Sequence, residues 1–232
     1  MADYPHPPPA TEVVDACLAA YHSQRHNLSI FANGVREFFA DHPTLACGPF
    51  PTIHSVKFRL KDPEHLRTKI VRKKVDENRE ITPQNLFTEV TDLAGVRVLH
   101  LHMEQFESIN QAIRDQIAAG HWFFFEAPKA YTWDPDSQEF YKALGLDTQV
   151  KESHYTSVHY VVKPNDTPVA CEIQVRTLFE EVWGEIDHAI NYSSPTNTPL
   201  ACKEELRVLA KMVGAGTRLC EAIFKSHRAR KV

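Results

Sequence analysis

The sequence predicts an α+β fold, with a mixed β-sheet flanked by helices and helical additions at both ends. Three observations carry that expectation. Short runs of β-branched and apolar residues recur at Val96 to Leu101, Tyr155 to Lys163 and Val169 to Val175, at lengths that suit strands better than helices. Apolar residues at helical spacing fill long segments near both ends of the chain. At 232 residues with 43% hydrophobic content, the chain can bury one sizeable core.

Prolines at positions 5, 7, 8 and 9 leave residues 1–10 extended or disordered, because proline fixes its own backbone and donates no hydrogen bond. A helix follows from about Thr11 to His42, with Thr11 as its candidate cap. Val13, Val14, Cys17, Leu18, Tyr21, Leu28, Phe31, Val35, Phe38 and Phe39 form its apolar stripe. Pro43 to Pro51 reads as a loop. An extended basic segment and a basic helix come next, running from His54 to Lys74.

Gln105 to Ala119 fits a helix, and Trp122 to Phe125 a buried strand. Pro128 to Gly145 reads as an irregular excursion rich in aromatics. Pro164-Asn165-Asp166 supplies the turn between the last two strands. The final strand passes into a helix from about Leu178, whose expected buried stripe is Phe179, Val182, Trp183, Ile186 and Ile190. A terminal helix from about Leu200 to Phe224 carries Leu206, Leu209, Val213, Leu219 and Ile223 on one side and ends in a basic tail. The expected divisions are therefore 1–10, an N-terminal helical segment at 11–50, a principal domain at 51–195, and a C-terminal helix and tail at 196–232. The helices are expected on one side of the sheet.

A net charge of −4 argues against indiscriminate nucleic-acid binding while leaving room for a local basic patch. Five scattered cysteines without C-x-x-C spacing read as reduced thiols in a cytoplasmic protein, and the 13 histidines form no paired-ligand pattern. No apolar run approaches the ~20 residues of a membrane span, so no membrane association is expected.

The stretch from Cys171 to Tyr192 concentrates unusual chemistry. Alternation places Glu172, Gln174 and Arg176 on one strand face, with Ile173 and Val175 on the other. Asp92 stands at the mouth of a second apolar run, with Gly95 close behind it. Two carboxylates on neighbouring strand ends suit Mg²⁺, which prefers hard oxygen ligands and shares them with nucleotide phosphates. Arg97 and Arg176 beside them fit phosphate chemistry.

Four segments in order, over about residues 53 to 192, resemble the synthetase domain of the RelA/SpoT family. They are the basic R-x-K segment from His54, D-L-A-G-V-R, H-Y-T-S-V-H, and E-I-Q-V-R-T followed by W-G-E-I-D-H. The resemblance implies a nucleotidyltransferase-like fold and a small alarmone synthetase-like GTP pyrophosphokinase without a hydrolase domain. Such an enzyme moves the β,γ-pyrophosphate of ATP to the ribose 3′-hydroxyl of GDP or GTP, giving ppGpp or pppGpp. It further implies that Asp92 holds Mg²⁺ and that Glu172 ligates it or acts as base. Arg59, Lys61, Lys69, Arg72, Lys73 and Arg97 would hold ATP, while Lys151, Tyr155, His159, Gln174 and Arg176 would hold the acceptor, Tyr155 by stacking on its base.

One motif departs from the family. Its usual N-G-Y-R-S is here Ser153-His154-Tyr155-Thr156-Ser157, so a glycine and an arginine are replaced. Two alternatives stay open: a toxin-like relative, prompted by that lost arginine and the small size, with an antitoxin partner, that pyrophosphorylates the 3′ end of tRNA or makes adenosine alarmones; and, outside the transferase class, a non-catalytic nucleotide-sensing module. Small members of the family often assemble, which makes a homo-oligomer an expectation too.

Overall fold

The structure is a computed structural model that describes residues 5–165, 167–193 and 198–229. Helix α1 (Thr11–Ala40) buries Val14, Cys17, Leu18, Tyr21, Leu28, Ala32, Val35 and Phe39, as its spacing predicts. Val13, Phe31 and Phe38 pack around the edge of that stripe. Thr11 is the first helical residue and not the cap. Ala10 holds the cap position without a side-chain hydrogen bond.

Six strands form one sheet: β1 (Ser55–Leu60), β2 (Ala94–His100), β3 (Phe123–Tyr131), β4 (Asp147–Gln149), β5 (Ser157–Lys163) and β6 (Cys171–Thr177). Their spatial order is β1-β2-β6-β5-β3-β4. The β2–β6 and β3–β4 pairs are parallel and the others antiparallel, so the sheet is mixed as expected.

Strand alternation gives this sheet two unlike faces. Val96, Val98, Val158, Tyr160, Ile173 and Val175 enter the main core with the α1 stripe and with Phe106, Ile109 and Ile113 of α4 (Gln105–Ala118). The opposite face is polar. Register sets Lys57 opposite Arg97, Arg97 opposite Gln174, Gln174 opposite His159, and His159 opposite Lys129, a row that crosses five strands.

Helices α6 (Leu178–Ser193) and α7 (Leu200–Ala229) lie on the polar side, α6 against β2 and β6 and α7 against α6. The sheet is therefore covered on both faces, not one. This placement also overturns the expected stripe of α6. Trp183 is buried, but Phe179, Val182, Ile186 and Ile190 are exposed, and Glu180 and Glu181 turn inward. A polar sheet face calls for carboxylates where an apolar one would call for leucines. Likewise Leu206 and Val213 of α7 are buried, whereas Leu219 and Ile223 face outward. A small cluster of Trp183, Ala210 and Val213, flanked by Tyr155 and Leu209, joins the two helices.

The segment read as an irregular excursion is ordered differently. β3 continues to Tyr131, and α5 (Pro135–Ala143) follows, capped by the Asp134 side chain on Ser137 N with Pro135 in the first turn. Register shifts between Phe124 and Glu126 and between Glu126 and Lys129 break the strand's alternation, which hides it from a period-2 reading. Pro128 sits inside that irregularity, where no ladder bond needs its missing N–H.

The basic helix is α2 (Pro63–Glu77), and a single turn, α3 (Leu86–Glu89), precedes β2. Part of the expected turn at Asp166, the boundary at 195 and 196, residues 1–4 of the proline-rich start and the last residues of the basic tail lie outside the described residues. Among the described residues, no helix is long and apolar enough to cross a membrane.

Candidate active site

Asp92 precedes β2 and faces the start of α2. Asp62 caps that helix by accepting from Glu64 N and His65 N, with Pro63 in the first turn. The anchored helix brings Lys69 over the sheet edge. Lys69 Nζ stands 2.8 Å from Asp92 Oδ1, and Lys61 Nζ, just past β1, stands 2.8 Å from Oδ2. Burial alone would push the Asp92 carboxyl up, but the two ammoniums outweigh it and hold the group well below the usual carboxylate range. Burial in turn lowers Lys61, opposed by Asp92.

A cleft of about 450 Å³ opens there, lined by Arg59, Lys61, His65, Thr68, Lys69, Arg72, Asp92 and His188. It adjoins a second of about 240 Å³ lined by Lys57, Arg59, Asp92, Gly95, Arg97, Glu172, Gln174, Glu185 and His188. Arg59, Asp92 and His188 line both. The two candidate carboxylates therefore share one opening.

Glu172 has its own partners. His159 Nδ1 is 3.1 Å from Oε1, and Gln174 Nε2 donates to Oε2 at 2.6 Å. On the far side of the imidazole, His159 Nε2 and Tyr155 Oη are 2.9 Å apart. Burial lowers the His159 imidazole, but the Glu172 carboxylate more than compensates and its pKa is raised to about 9. Burial raises Glu172, and His159 and Gln174 bring it below the usual value. Glu172 is thus an ionised carboxylate held by an imidazolium.

Two carboxylates on one cleft fit a small hard cation. Mg²⁺ is bound through one or two protein carboxylates plus substrate phosphates, and hard oxygens are what Asp92 and Glu172 offer. No group of three or more metal-ligating side chains exists among the described residues, so phosphates and water would have to complete such a shell.

The expected donor group divides. Arg59, Lys61, Lys69 and Arg72 line the larger cleft together. Lys73 does not: it pairs with Glu77 at 3.8 Å on the same helix. Arg97 lines the smaller cleft but is already engaged by Glu181 at 3.1 Å and by Glu185. On the acceptor side, Tyr155 packs among Tyr131, His159 and Trp183, with Arg176 over its ring at 5.6 Å. Lys151 lies over the Tyr131 ring at 4.6 Å.

His154, standing where the family has glycine, adopts a left-handed backbone with φ of 64°. The left-handed region is uncommon for a residue other than glycine, and the ring stacks on Trp133 at 5.0 Å. Thr156 joins His154, Trp133, Asp134 and Arg218 in a separate pocket beneath α7.

Sequence reasoning missed Lys57, Tyr131, Glu181, Glu185 and His188. Lys57 could have been found, since it shares the alternating face of Arg59. His188 lay in a quoted motif without an assigned role. Glu185 lay in the same motif, and Glu181 matters only because α6 crosses the polar face, which no local pattern announces.

A profile for the region found in RelA / SpoT proteins matches residues 58–197. Among solved structures, small alarmone synthetase 1 from Bacillus subtilis is 23% identical over 92% of this chain and 95% of its own, with a TM-score of 0.59. The same protein bound to its product pppGpp is 22% identical over 91% and 95%, with a TM-score of 0.58. A GTP pyrophosphokinase family protein from Streptococcus pneumoniae is 21% identical over 92% and 93%, with a TM-score of 0.63. A search of curated proteins returned no significant match.

Proposed function

Because the chain belongs to the RelA/SpoT family, we propose that it is a small alarmone synthetase that transfers the β,γ-pyrophosphate of ATP to the 3′-hydroxyl of GDP or GTP. The observation that carries the reading is the shared cleft of Asp92 and Glu172, with cations on the first carboxylate and an imidazole–tyrosine pair on the second. Phosphoryl-type transfer needs cations at the phosphates and a group poised at the attacking hydroxyl, and the two carboxylates with their partners can supply these. The product carried by the Bacillus neighbour is of the same kind.

Arg59, Lys61, Lys69 and Arg72 bind the ATP phosphates, and Arg97 flanks the nucleotide from β2. Asp92 would hold Mg²⁺, which would neutralise charge on the phosphate oxygens, and of its two alternative roles, metal ligand or base, Glu172 takes that of base. Tyr155, Gln174, Arg176 and Lys151 position the acceptor, and His159 keeps Glu172 ionised. Glu172 takes the proton of the 3′-hydroxyl as that oxygen attacks the β-phosphorus; the bond from the β-phosphorus to the α-phosphate oxygen breaks, and AMP leaves.

Thr156 favours a second reading. The position offers no cation to a 5′-phosphate, and the side chain lines the pocket beneath α7. An acceptor without a free 5′-diphosphate, such as the 3′ end of tRNA, would not need one.

The experiment incubates the protein with γ-labelled ATP and Mg²⁺, separately with GDP, GTP, ATP alone and deacylated tRNA. Label in a guanosine tetra- or pentaphosphate is the expected result. Label in tRNA alone transfers the case to the second reading, and label in no acceptor defeats both.

A further inference from the structure

Helix α6 carries a glycine at a position where alanine would serve a helix better, and the reason lies across its interface with β6. A Cβ at Gly184 would stand 2.5 Å from Arg176 Nη1, closer than side chains tolerate. The guanidinium lies against the helix in that notch. One turn earlier, buried Glu181 sets Oε2 3.4 Å from the same Nη1. Its Oε1 meanwhile takes Lys57 Nζ at 2.7 Å and Arg97 Nη1 at 3.1 Å, so cations from three strands converge on one carboxylate.

On its other side Arg176 Nη2 donates to Gln174 Oε1. A guanidinium has donors only, so the carbonyl end of the Gln174 amide must face it and the NH₂ end must face away. That end donates to Glu172 Oε2 at 2.6 Å.

We infer that Glu181 and Gly184 are positioning residues that seat the Arg176 guanidinium, which orients the Gln174 amide and fixes how Glu172 presents its oxygens to the acceptor hydroxyl. Neither residue needs to touch substrate. The inference rests on the pyrophosphokinase reading for its effect on rate, whereas the seat itself is a property of the side chains alone.

Two variants of the full chain test it. Gly184→Ala fills the notch while favouring the helix, and Glu181→Gln keeps the shape and removes the charge. In each, kcat falls about 10- to 100-fold, and in Gly184→Ala, which leaves the Glu181 pairs with Lys57 and Arg97 in place, the KM for ATP stays within about twofold of wild type. Combining either with Gln174→Ala costs less than the sum of the two single losses, because both act in part through that amide. Wild-type kcat in Gly184→Ala, or additive losses in the double variants, overturns the inference.

A second readout needs no turnover. Side-chain NMR of Arg176, assigned with Arg176→Lys, shows separate, slowly exchanging Nη resonances in the wild type that merge in Gly184→Ala. One averaged resonance in the wild type overturns the seat. A wild-type chain that transfers no pyrophosphate defeats the proposed function, and the NMR result then decides the seat by itself.

Discussion

Lys61 and Lys69 each approach a different oxygen of Asp92, so removing that carboxylate strands two partly buried ammoniums and opens the metal shell. Asp92→Asn is expected to lower transfer about 100-fold or more, with no recovery as Mg²⁺ is raised, measured as rate against metal concentration. An undiminished rate would remove Asp92 from the mechanism. His100 offers a prediction away from the site. Burial pushes its pKa down from 6.5 to about 4, and its Nδ1 lies 3.0 Å from the His102 carbonyl. The unfolded chain therefore binds the extra proton between those values, and stability is lost as pH falls from about 6.5 to about 4. The loss is on the order of 3 kcal/mol at most, and denaturant unfolding of His100→Asn should show a flatter profile through that window. At this scale the grouping of the candidate residues was largely legible, because strand alternation assigns Glu172, Gln174 and Arg176 to one face without any tertiary knowledge. Lys73 and Glu181 were not legible. Whether a helical lysine reaches the cleft or its own i+4 glutamate, and whether a first-turn glutamate meets solvent or three cations, depends on the neighbouring element.

Elements decide how those side chains are aimed. Asp62 holds the first turn of α2, and α2 carries Lys69 and Arg72 to the larger cleft. Asp62→Ala should cost about 1 kcal/mol in stability by urea unfolding and raise the KM for ATP more than that for the acceptor. A defect confined to the acceptor would reverse the donor and acceptor ends. α1 was legible because its one buried face meets an apolar sheet face, so period and burial agree. α6 was misread because the rule that the apolar stripe is the buried one fails over a polar sheet. β3 was cut short in the reading because its bulges erase the alternation on which the reading relies.

The whole molecule assembles the site from distant sequence. Parallel pairing of β2 with β6 brings Gly95 opposite Glu172 and Arg97 opposite Gln174, and β1 adds Lys57 and Arg59 from the other edge of β2. Parallel strands need a long crossover, and here that crossover contains α4, α5 and three further strands. The mixed sheet was expected from the order of strand-like runs, while its strand order and two-sided cover could only come from the fold. Both faces serve the same end: one is an apolar support, the other a polar floor beneath α6. The measurement that bears most directly on the account follows ATP and GDP with the wild-type chain and Mg²⁺ by ³¹P NMR. AMP and a guanosine 3′-pyrophosphate appearing in equal amounts is the predicted result. ADP in place of AMP, or ATP left unconsumed beside unchanged GDP, would contradict it.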